Sequence, residues 1–337
     1  MILHIIDSDK FTKPLAKMIM DDVRFHDHFF ISLPALEQLN SNSIIYLKSP
    51  LSKHLWFNFF KLFFLCFKAK KIVLHGALLM HFFFVFRFFL RKTLWVIYGY
   101  EINIIKNPNN NIDKITKHVL KMVNGHITHV YEDSTETNRI LKSNAKFVYS
   151  SMYLSNTVEL NLFTNKDIST IEKINVLVGN STDPTNEHIS IFDMIEDNVS
   201  HINNIYCPLS YGDHEAYKNK IIEEGYRRFG DQFVPITNFM SLEEYKEFLN
   251  SIDVAIFNHN RQQAMGITLT LMSLGKIVYM RSGTNSYESL TRRGFKVFDN
   301  ELIKQDGIKK NRQILENKKL LEEHYSKLNL INFYLSL

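Results

Sequence analysis

Residues 174–188, Ile-Asn-Val-Leu-Val-Gly-Asn-Ser-Thr-Asp-Pro-Thr-Asn-Glu-His, hold the chain's clearest set of groups suited to an anion. Ile174 to Val178 is a short apolar run of the kind a buried parallel strand shows, and Gly179, Asn180 and Ser181 break it. Asp183 as N-cap and Pro184 at the first helical position then open a helix. A strand that turns through glycine into a helix start leaves free backbone N–H groups and a positive dipole end. A diphosphate suits that arrangement. An ordinary β–α turn is the plain alternative. A second turn, Asn258 to Gly266, carries Arg261, which can grip phosphate bidentately, with Gln262, Gln263 and Gly266 beside it at a helix start. Asn186, Glu187 and His188 fall in the first turns after the first cradle. There Glu187 either holds a sugar hydroxyl or only favours the helix dipole. Tyr211 and Tyr217 either pack on a base or sugar or belong to core and rim.

The elements that must position these groups alternate along the chain. In the first half, strands are expected at Leu3–Ile6, Phe29–Leu33, Ile44–Leu47, Lys71–Leu74, Leu94–Ile97, His126–Tyr131 and Lys146–Ser150. Helices are expected at Pro14–Asp22, Leu51–Lys68, Leu78–Arg91, Asp113–Val123 and Glu132–Leu141. Such alternation argues for a parallel sheet with helices on both faces, whose functional residues gather at the carboxyl ends of strands. Asp7, Asp9, His75, Gly76, Gly99 and Glu101 stand at such ends, so Glu101, Asp9 and His75 are the candidates for a catalytic base.

Residues 153–173 are polar and lack apolar periodicity, which reads as a linker between domains 1–152 and 174–310. The second half restarts the alternation. Its helix Asp213–Gly225 is expected to stop at Gly225, and Ser241-Leu-Glu-Glu244 is a capping box for the next helix. Residues 311–337 read as a C-terminal helix able to cross back to the first domain. The fold expected is α/β, two Rossmann-like domains facing across a cleft, the GT-B architecture of nucleotide-sugar glycosyltransferases. Fold alone does not establish that activity.

Composition narrows the classes. The chain has 337 residues, 45% hydrophobic and 22% charged, a folded protein with a real core. Its two cysteines, Cys66 and Cys207, imply neither a disulfide framework nor a zinc site. The N-terminus runs directly into strand-like sequence rather than a signal peptide, so a cytoplasmic protein is expected. Net charge is +5, but no acidic residue occurs from Gln38 to Tyr100, where Lys53, Lys61, Lys68, Arg87, Arg91 and Lys92 mix with blocks of Phe. The aromatics come in blocks rather than interleaved with charge, which argues against nucleic acid. Residues 51–92 instead read as a basic amphipathic surface for an anionic membrane. The apolar runs are far short of the ~20 residues that a span needs.

Three segments carry a family resemblance: Val-Leu-Val-Gly-Asn-Ser-Thr-Asp-Pro-Thr-Asn-Glu-His (176–188), Cys-Pro-Leu-Ser-Tyr-Gly-Asp-His-Glu-Ala-Tyr (207–217) and Phe-Asn-His-Asn-Arg-Gln-Gln-Ala-Met-Gly-Ile (257–267). In that order they resemble the TDP-4-acetamido-4,6-dideoxygalactose (TDP-Fuc4NAc):lipid II transferases of enterobacterial common antigen synthesis, glycosyltransferase family 56. The resemblance covers roughly residues 174–290; His75-Gly76 and Trp95-Val-Ile-Tyr-Gly99-Tyr-Glu101 echo it, with Glu101 where the family has Asp. It implies a TDP-sugar donor, a polyprenyl-diphosphate-linked glycan acceptor, and a peripheral position on the cytoplasmic face of the bacterial inner membrane. It also puts Glu101 first among the bases, ahead of Asp9 and His75.

Asp7-Ser8-Asp9 has the Asp-x-Asp spacing but lies in the first domain, away from the expected diphosphate, so no metal or other cofactor is expected. A Glu-x7-Glu pattern is absent after Phe257, which favours an inverting mechanism with one base. Two alternatives are a related transferase using another TDP- or UDP-sugar, and a non-catalytic nucleotide-binding protein at a membrane.

Overall fold

A computed structural model describes residues 1–7, 11–33, 44–46, 55–160, 172–308 and 315–337. The chain divides into two compact units: Met1–Thr157 with Lys327–Leu337, and Val158–Ser326. Asp9, Ser8 and Lys53 lie outside the described residues.

In unit 1 the apolar runs form seven parallel strands: β1 (Ile2–Asp7), β2 (His28–Leu33), β3 (Ile44–Tyr46), β4 (Lys71–His75), β5 (Thr93–Val96), β6 (Gly125–Thr128) and β7 (Lys146–Tyr149). Their order is β3-β2-β1-β4-β5-β6-β7. The chain winds outward in both directions from β1 and β4, and such a reversal point is where α/β sheets hold their ligands. Alternate residues feed two cores. Leu3, Ile5, Ile72 and Leu74 join Trp95 and the Phe-rich helices on one face. Ile2, Ile6, Phe30 and Val73 join α1 (Thr12–Met20) on the other.

One expected helix breaks and an unexpected one appears. The Leu78–Arg91 helix is α3 (Met80–Val85), which stops at Phe86 and continues as a 3-10 turn, Arg87–Lys92. The stop seats the Phe86 ring among Phe59, Phe63, Phe82 and Phe89, with centroids 5.0–6.3 Å away. Ring packing outweighs the gain from continuing the helix. A short helix not foreseen, α4 (Tyr100–Lys106), begins after Gly99, whose φ of +94° is glycine territory. The remaining helices of unit 1 are α2 (Leu55–Lys68), α5 (Asn111–Leu120) and α6 (Tyr131–Leu141).

Unit 2 has six parallel strands, β8 (Ile174–Val178), β9 (Ile202–Pro208), β10 (Phe233–Ile236), β11 (Val254–Phe257), β12 (Ile277–Met280) and β13 (Phe298–Asp299). Their order, β10-β9-β8-β11-β12-β13, reverses between β8 and β11. Its helices are α7 (His188–Ile195), α8 (Glu215–Phe229), α9 (Leu242–Ser251), α10 (Met265–Ser273), α11 (Asn285–Arg292), α12 (Glu301–Asp306) and α13 (Leu315–Tyr325). The capping box forms at Ser241 and Glu244. Gly225 is not a stop. It sits inside α8, where a Cβ would collide with the Phe233 ring, and Gly230 with φ +52° ends the helix.

Unit 1 ends at Thr157, within the residues expected to be linker, and Leu154–Asn156 is a 3-10 turn. The C-terminal segment divides. Leu321 and Tyr325 of α13 enter a unit-2 core, whereas Leu330 and Tyr334 of α14 (Lys327–Leu335) enter the unit-1 core beside Ile2 and Phe30.

Candidate functional site

The loops after β8 and β11 leave adjacent strands at the reversal point of the unit-2 sheet. Gly179 turns with φ +66°, and a Cβ there would collide with the His188 ring and come within 3.0 Å of Asn186 Oδ1. The expected helix start is split. Asp183 caps a 3-10 turn, Pro184–Asn186, by accepting from Thr185 N at 2.9 Å. Glu187 then adopts the left-handed conformation, φ +51°, before α7 begins. A non-glycine residue there is strained by roughly 1–3 kcal/mol, which the side-chain bonds around it offset.

Asn186, fully buried, ties the two loops together. Its Oδ1 accepts from Asn180 N at 2.9 Å and from His259 Nε2 at 3.0 Å, and its Nδ2 donates to Ser181 Oγ and to the Asp183 carbonyl. His259 is therefore the Nε2–H tautomer, and burial, with His188 and Arg261 nearby, pulls its pKa down to about 3. The second loop also reaches back to the first. Arg261 Nη2 donates to Asp183 Oδ2 at 2.8 Å, Gln263 Nε2 donates to Thr185 Oγ1 at 3.1 Å, and Asn258 and Asn260 donate to Glu187. Arg281, after β12, donates to Glu187 Oε2 at 3.0 Å. Burial pushes the Asp183 carboxyl up, but the Thr185 hydroxyl and amide, together with Arg261, hold it below its ordinary value.

His259, Arg261, Gln263, Arg281, Thr284 and Ser286 line a small recess of about 10 Å³ over Phe257 and Met280. Ser286 Oγ is buried without a partner, and no side chain caps the start of α10. Two guanidiniums and an unpaired hydroxyl here, with an uncapped helix start next in the chain, are groups of the kind that suit an anion.

Gly179, Asn180, Ser181, Asn186, Glu187, His188, Asn258, Arg261 and Gln263 thus come together in one bonded cluster. Gly266 lies in the first turn of α10, and the Gln262 carbonyl accepts from Arg261 Nη1 at 3.5 Å. Tyr217 is partly buried against His188. Its hydroxyl accepts from His188 N and pairs with His188 Nδ1 at 3.1 Å, which points His188 Nε2, itself unpartnered, at Gly179. The Tyr211 ring is exposed, and its carbonyl holds Thr182 N and Oγ1. Arg281, Ser286, Asp183 and His259 were missed as site residues. Arg281 stands one residue past a strand end, the same signal that marked Glu101.

In unit 1, Glu101 sits in the first turn of α4, fully buried. Its Oε2 accepts from Tyr98 N at 3.1 Å and its Oε1 has no partner. Burial pushes the carboxyl up to about 8, with Asp133 adding to the shift and the Tyr98 and Gly99 amides opposing it. His75 closes β4, 1% exposed, bonded to His4 at 3.1 Å and to the Tyr153 hydroxyl at 3.0 Å, and burial lowers its pKa to about 3.

The chain is similar in fold to HepE of Anabaena solved in complex with UDP: 11% identity, TM-score 0.69, 99% of this chain and 97% of that chain covered. A glycosyltransferase from Rickettsia africae matches at 11% identity and TM-score 0.67, covering 99% and 95%. Sucrose-phosphate synthase from Thermosynechococcus elongatus matches at 10% identity and TM-score 0.67, covering 99% and 96%. These likenesses show the fold, two Rossmann-like units of the GT-B class, as the strand–helix alternation led us to expect. The sequence pattern of the family described as 4-alpha-L-fucosyltransferase glycosyl transferase group 56 matches residues 68–326. With most of its length inside that match, the chain belongs to glycosyltransferase group 56 and is a glycosyltransferase.

Proposed function

We propose that the protein transfers a deoxy-amino sugar of the Fuc4NAc type from a TDP-sugar to a saccharide on a polyprenyl diphosphate, at the cytoplasmic face of a bacterial inner membrane. The observation that carries the donor half is the recess with Arg261, Arg281 and Ser286 at the carboxyl edge of unit 2. Negative charge develops on the departing diphosphate, so guanidiniums and helix-start amides placed there lower the barrier most. Both arginines are paired with carboxylates in the structure, at 2.8 and 3.0 Å. Phosphate oxygens would replace Asp183 and Glu187 as their partners. Two fixed cations at the diphosphate supply the role a metal would otherwise fill, so the transfer is metal-independent in this reading.

Glu101 is the proposed base of an inverting displacement. A carboxyl near 8 is ionised in a useful fraction at cytoplasmic pH and is basic enough to take a proton from a sugar hydroxyl.

The acceptor half rests on unit 1. Phe60, Phe64 and Phe67 lie on one face of α2 and are 54–66% exposed, and Phe84, Val85 and Phe88 are exposed nearby in the chain. Lys68 lies over the Phe64 ring at 4.4 Å, and Arg87 and Arg91 are exposed. Exposed phenylalanines among cations suit the headgroup layer of an anionic bilayer. Among the described residues no helix is long and apolar enough to cross a membrane.

The test incubates purified protein with TDP-Fuc4NAc and a lipid-linked acceptor in phosphatidylglycerol vesicles. Transfer with inversion at the anomeric carbon supports the reading. Transfer only from a UDP-sugar would move the donor to the alternative, which HepE's complex with UDP makes the next to try.

A further inference from the structure

Three buried histidines and a tyrosine cross one face of the unit-1 sheet in a single hydrogen-bonded line. His28 begins β2 at the amino edge, His4 lies inside β1, and His75 ends β4 at the carboxyl edge. Register places His28 level with Ile2, and His4 level with Phe30 and Val73, so the line steps diagonally over three neighbouring strands. Its links are His28 Nδ1 to His4 Nε2 at 2.9 Å, His4 Nδ1 to His75 Nε2 at 3.1 Å, and His75 Nδ1 to the Tyr153 hydroxyl at 3.0 Å. At the amino edge His28 Nε2 faces Asp27 Oδ1 at 3.8 Å, and the Asp27 side chain is 47% exposed. Every ring nitrogen except His28 Nε2 therefore has a hydrogen-bond partner within the line. Buried core positions seldom carry three imidazoles when apolar residues would pack as well.

We infer that His28, His4, His75 and Tyr153 form a reversible proton path joining the carboxyl edge of the unit-1 sheet to solvent at Asp27. Each imidazole contact needs one N–H and one bare nitrogen. The Asp27 carboxylate favours a proton on His28 Nε2, so His28 Nδ1 is bare and accepts from His4 Nε2–H. His4 Nδ1 in turn accepts from His75 Nε2–H, and His75 Nδ1 accepts from the Tyr153 O–H. A proton arriving on the Tyr153 oxygen pushes the hydroxyl proton to His75 Nδ1. His75 Nε2–H passes to His4 Nδ1, His4 Nε2–H passes to His28 Nδ1, and the His28 Nε2 proton leaves to water beside Asp27. One proton enters, one leaves, and each ring exchanges an Nε2–H for an Nδ1–H; the reverse shift brings a proton inward.

Burial keeps the rings neutral at rest: it lowers His4 well below the ordinary value, helped by His75 and His28, and takes His28 to about 4. Asp27 and the Tyr334 backbone raise the proton affinity of His28, whereas the Met1 amino group and His26 lower it. Phe30 and Tyr334 close over His4, at 4.6 and 5.8 Å between centroids, so the middle of the path is kept from water. At the inner end the Tyr98 ring stacks on Tyr153 at 5.5 Å, and Tyr98 N donates to Glu101. The purpose of the path rests on the proposed role of unit 1 in transfer, but its existence does not, so it is tested without turnover.

Nitrogen-15 spectra of the histidine rings in the full chain, with their N–H exchange against water, provide that test. We expect His4 and His75 as neutral Nε2–H tautomers at pH 6, and at least tenfold slower exchange of both ring protons in His28→Phe, which caps the solvent end beside Phe25. Unchanged or faster exchange in folded His28→Phe would show the protons leaving by local opening and would overturn the path. Should His28→Phe not fold, Asp27→Ala, a change at the surface, should turn the single tautomer into a mixture. One unchanged tautomer in that variant would equally overturn it.

Discussion

The carboxyl edges of the two sheets share a topology and differ in chemistry. In unit 2 the reversal point is crowded with paired charge, Arg261 on Asp183 and Arg281 on Glu187, in side chains 24–43% exposed. In unit 1 the corresponding edge holds the neutral His75 imidazole and Glu101, whose Oε1 is buried and unpaired. Parallel strands expose the same backbone groups at both edges, so the difference lies wholly in side chains and burial. In the proposed function one edge meets a polyanion and the other binds and releases a proton.

That contrast breaks most visibly with pH. Glu101 stands near 8 in the folded chain against an ordinary 4.5, so the native state holds its proton more tightly. Its contribution to stability is complete below about pH 4.5 and is lost as pH rises through 8, a change of order 5 kcal/mol. Chemical denaturation of the wild type against Glu101→Gln from pH 4.5 to 9 should show the wild type losing ground steadily. In a transfer assay the same variant should cost roughly 10²–10⁴ in kcat with little change in donor affinity.

Gly179→Val is expected to be next in size. A left-handed backbone and a collision with His188 together cost roughly 3 kcal/mol. Denaturant midpoints should fall and TDP binding should vanish. Gly76→Ala strains unit 1, where a Cβ meets the Tyr98 ring at 2.9 Å, and should leave TDP affinity intact.

Arg261→Ala removes a charged phosphate contact and should weaken TDP by ten- to a hundredfold in calorimetry, about 1.5–3 kcal/mol. Stability should hardly move, because a partly exposed ion pair contributes little. The smallest effect is Asp183→Asn. It keeps the cap on Thr185 and frees Arg261, so inorganic diphosphate should bind several-fold tighter, about 1 kcal/mol.

Much of this was legible because strand ends are legible. Apolar runs bounded by Gly179, Gly99 and Gly76 marked the carboxyl edges, and the residues just past them are the ones that cluster. Local rules failed where tertiary packing decides. Gly225 has the look of a helix stop, but only a missing side chain lets the Phe233 ring lie against α8. Phe86 ends α3 for a ring cluster that no period reveals. Tyr217 gave no sign in sequence that its hydroxyl would hold His188, 29 positions away. Nor did His4 and His28 announce themselves, since their link depends on register between strands.

The most direct test is calorimetric titration of TDP into the wild type, Arg261→Ala and Glu101→Gln with a chelator present. The account predicts metal-independent binding that Arg261→Ala weakens at least tenfold and Glu101→Gln leaves unchanged. Wild-type affinity in Arg261→Ala, or loss of binding in Glu101→Gln, would contradict the division of chemistry between the two sheet edges.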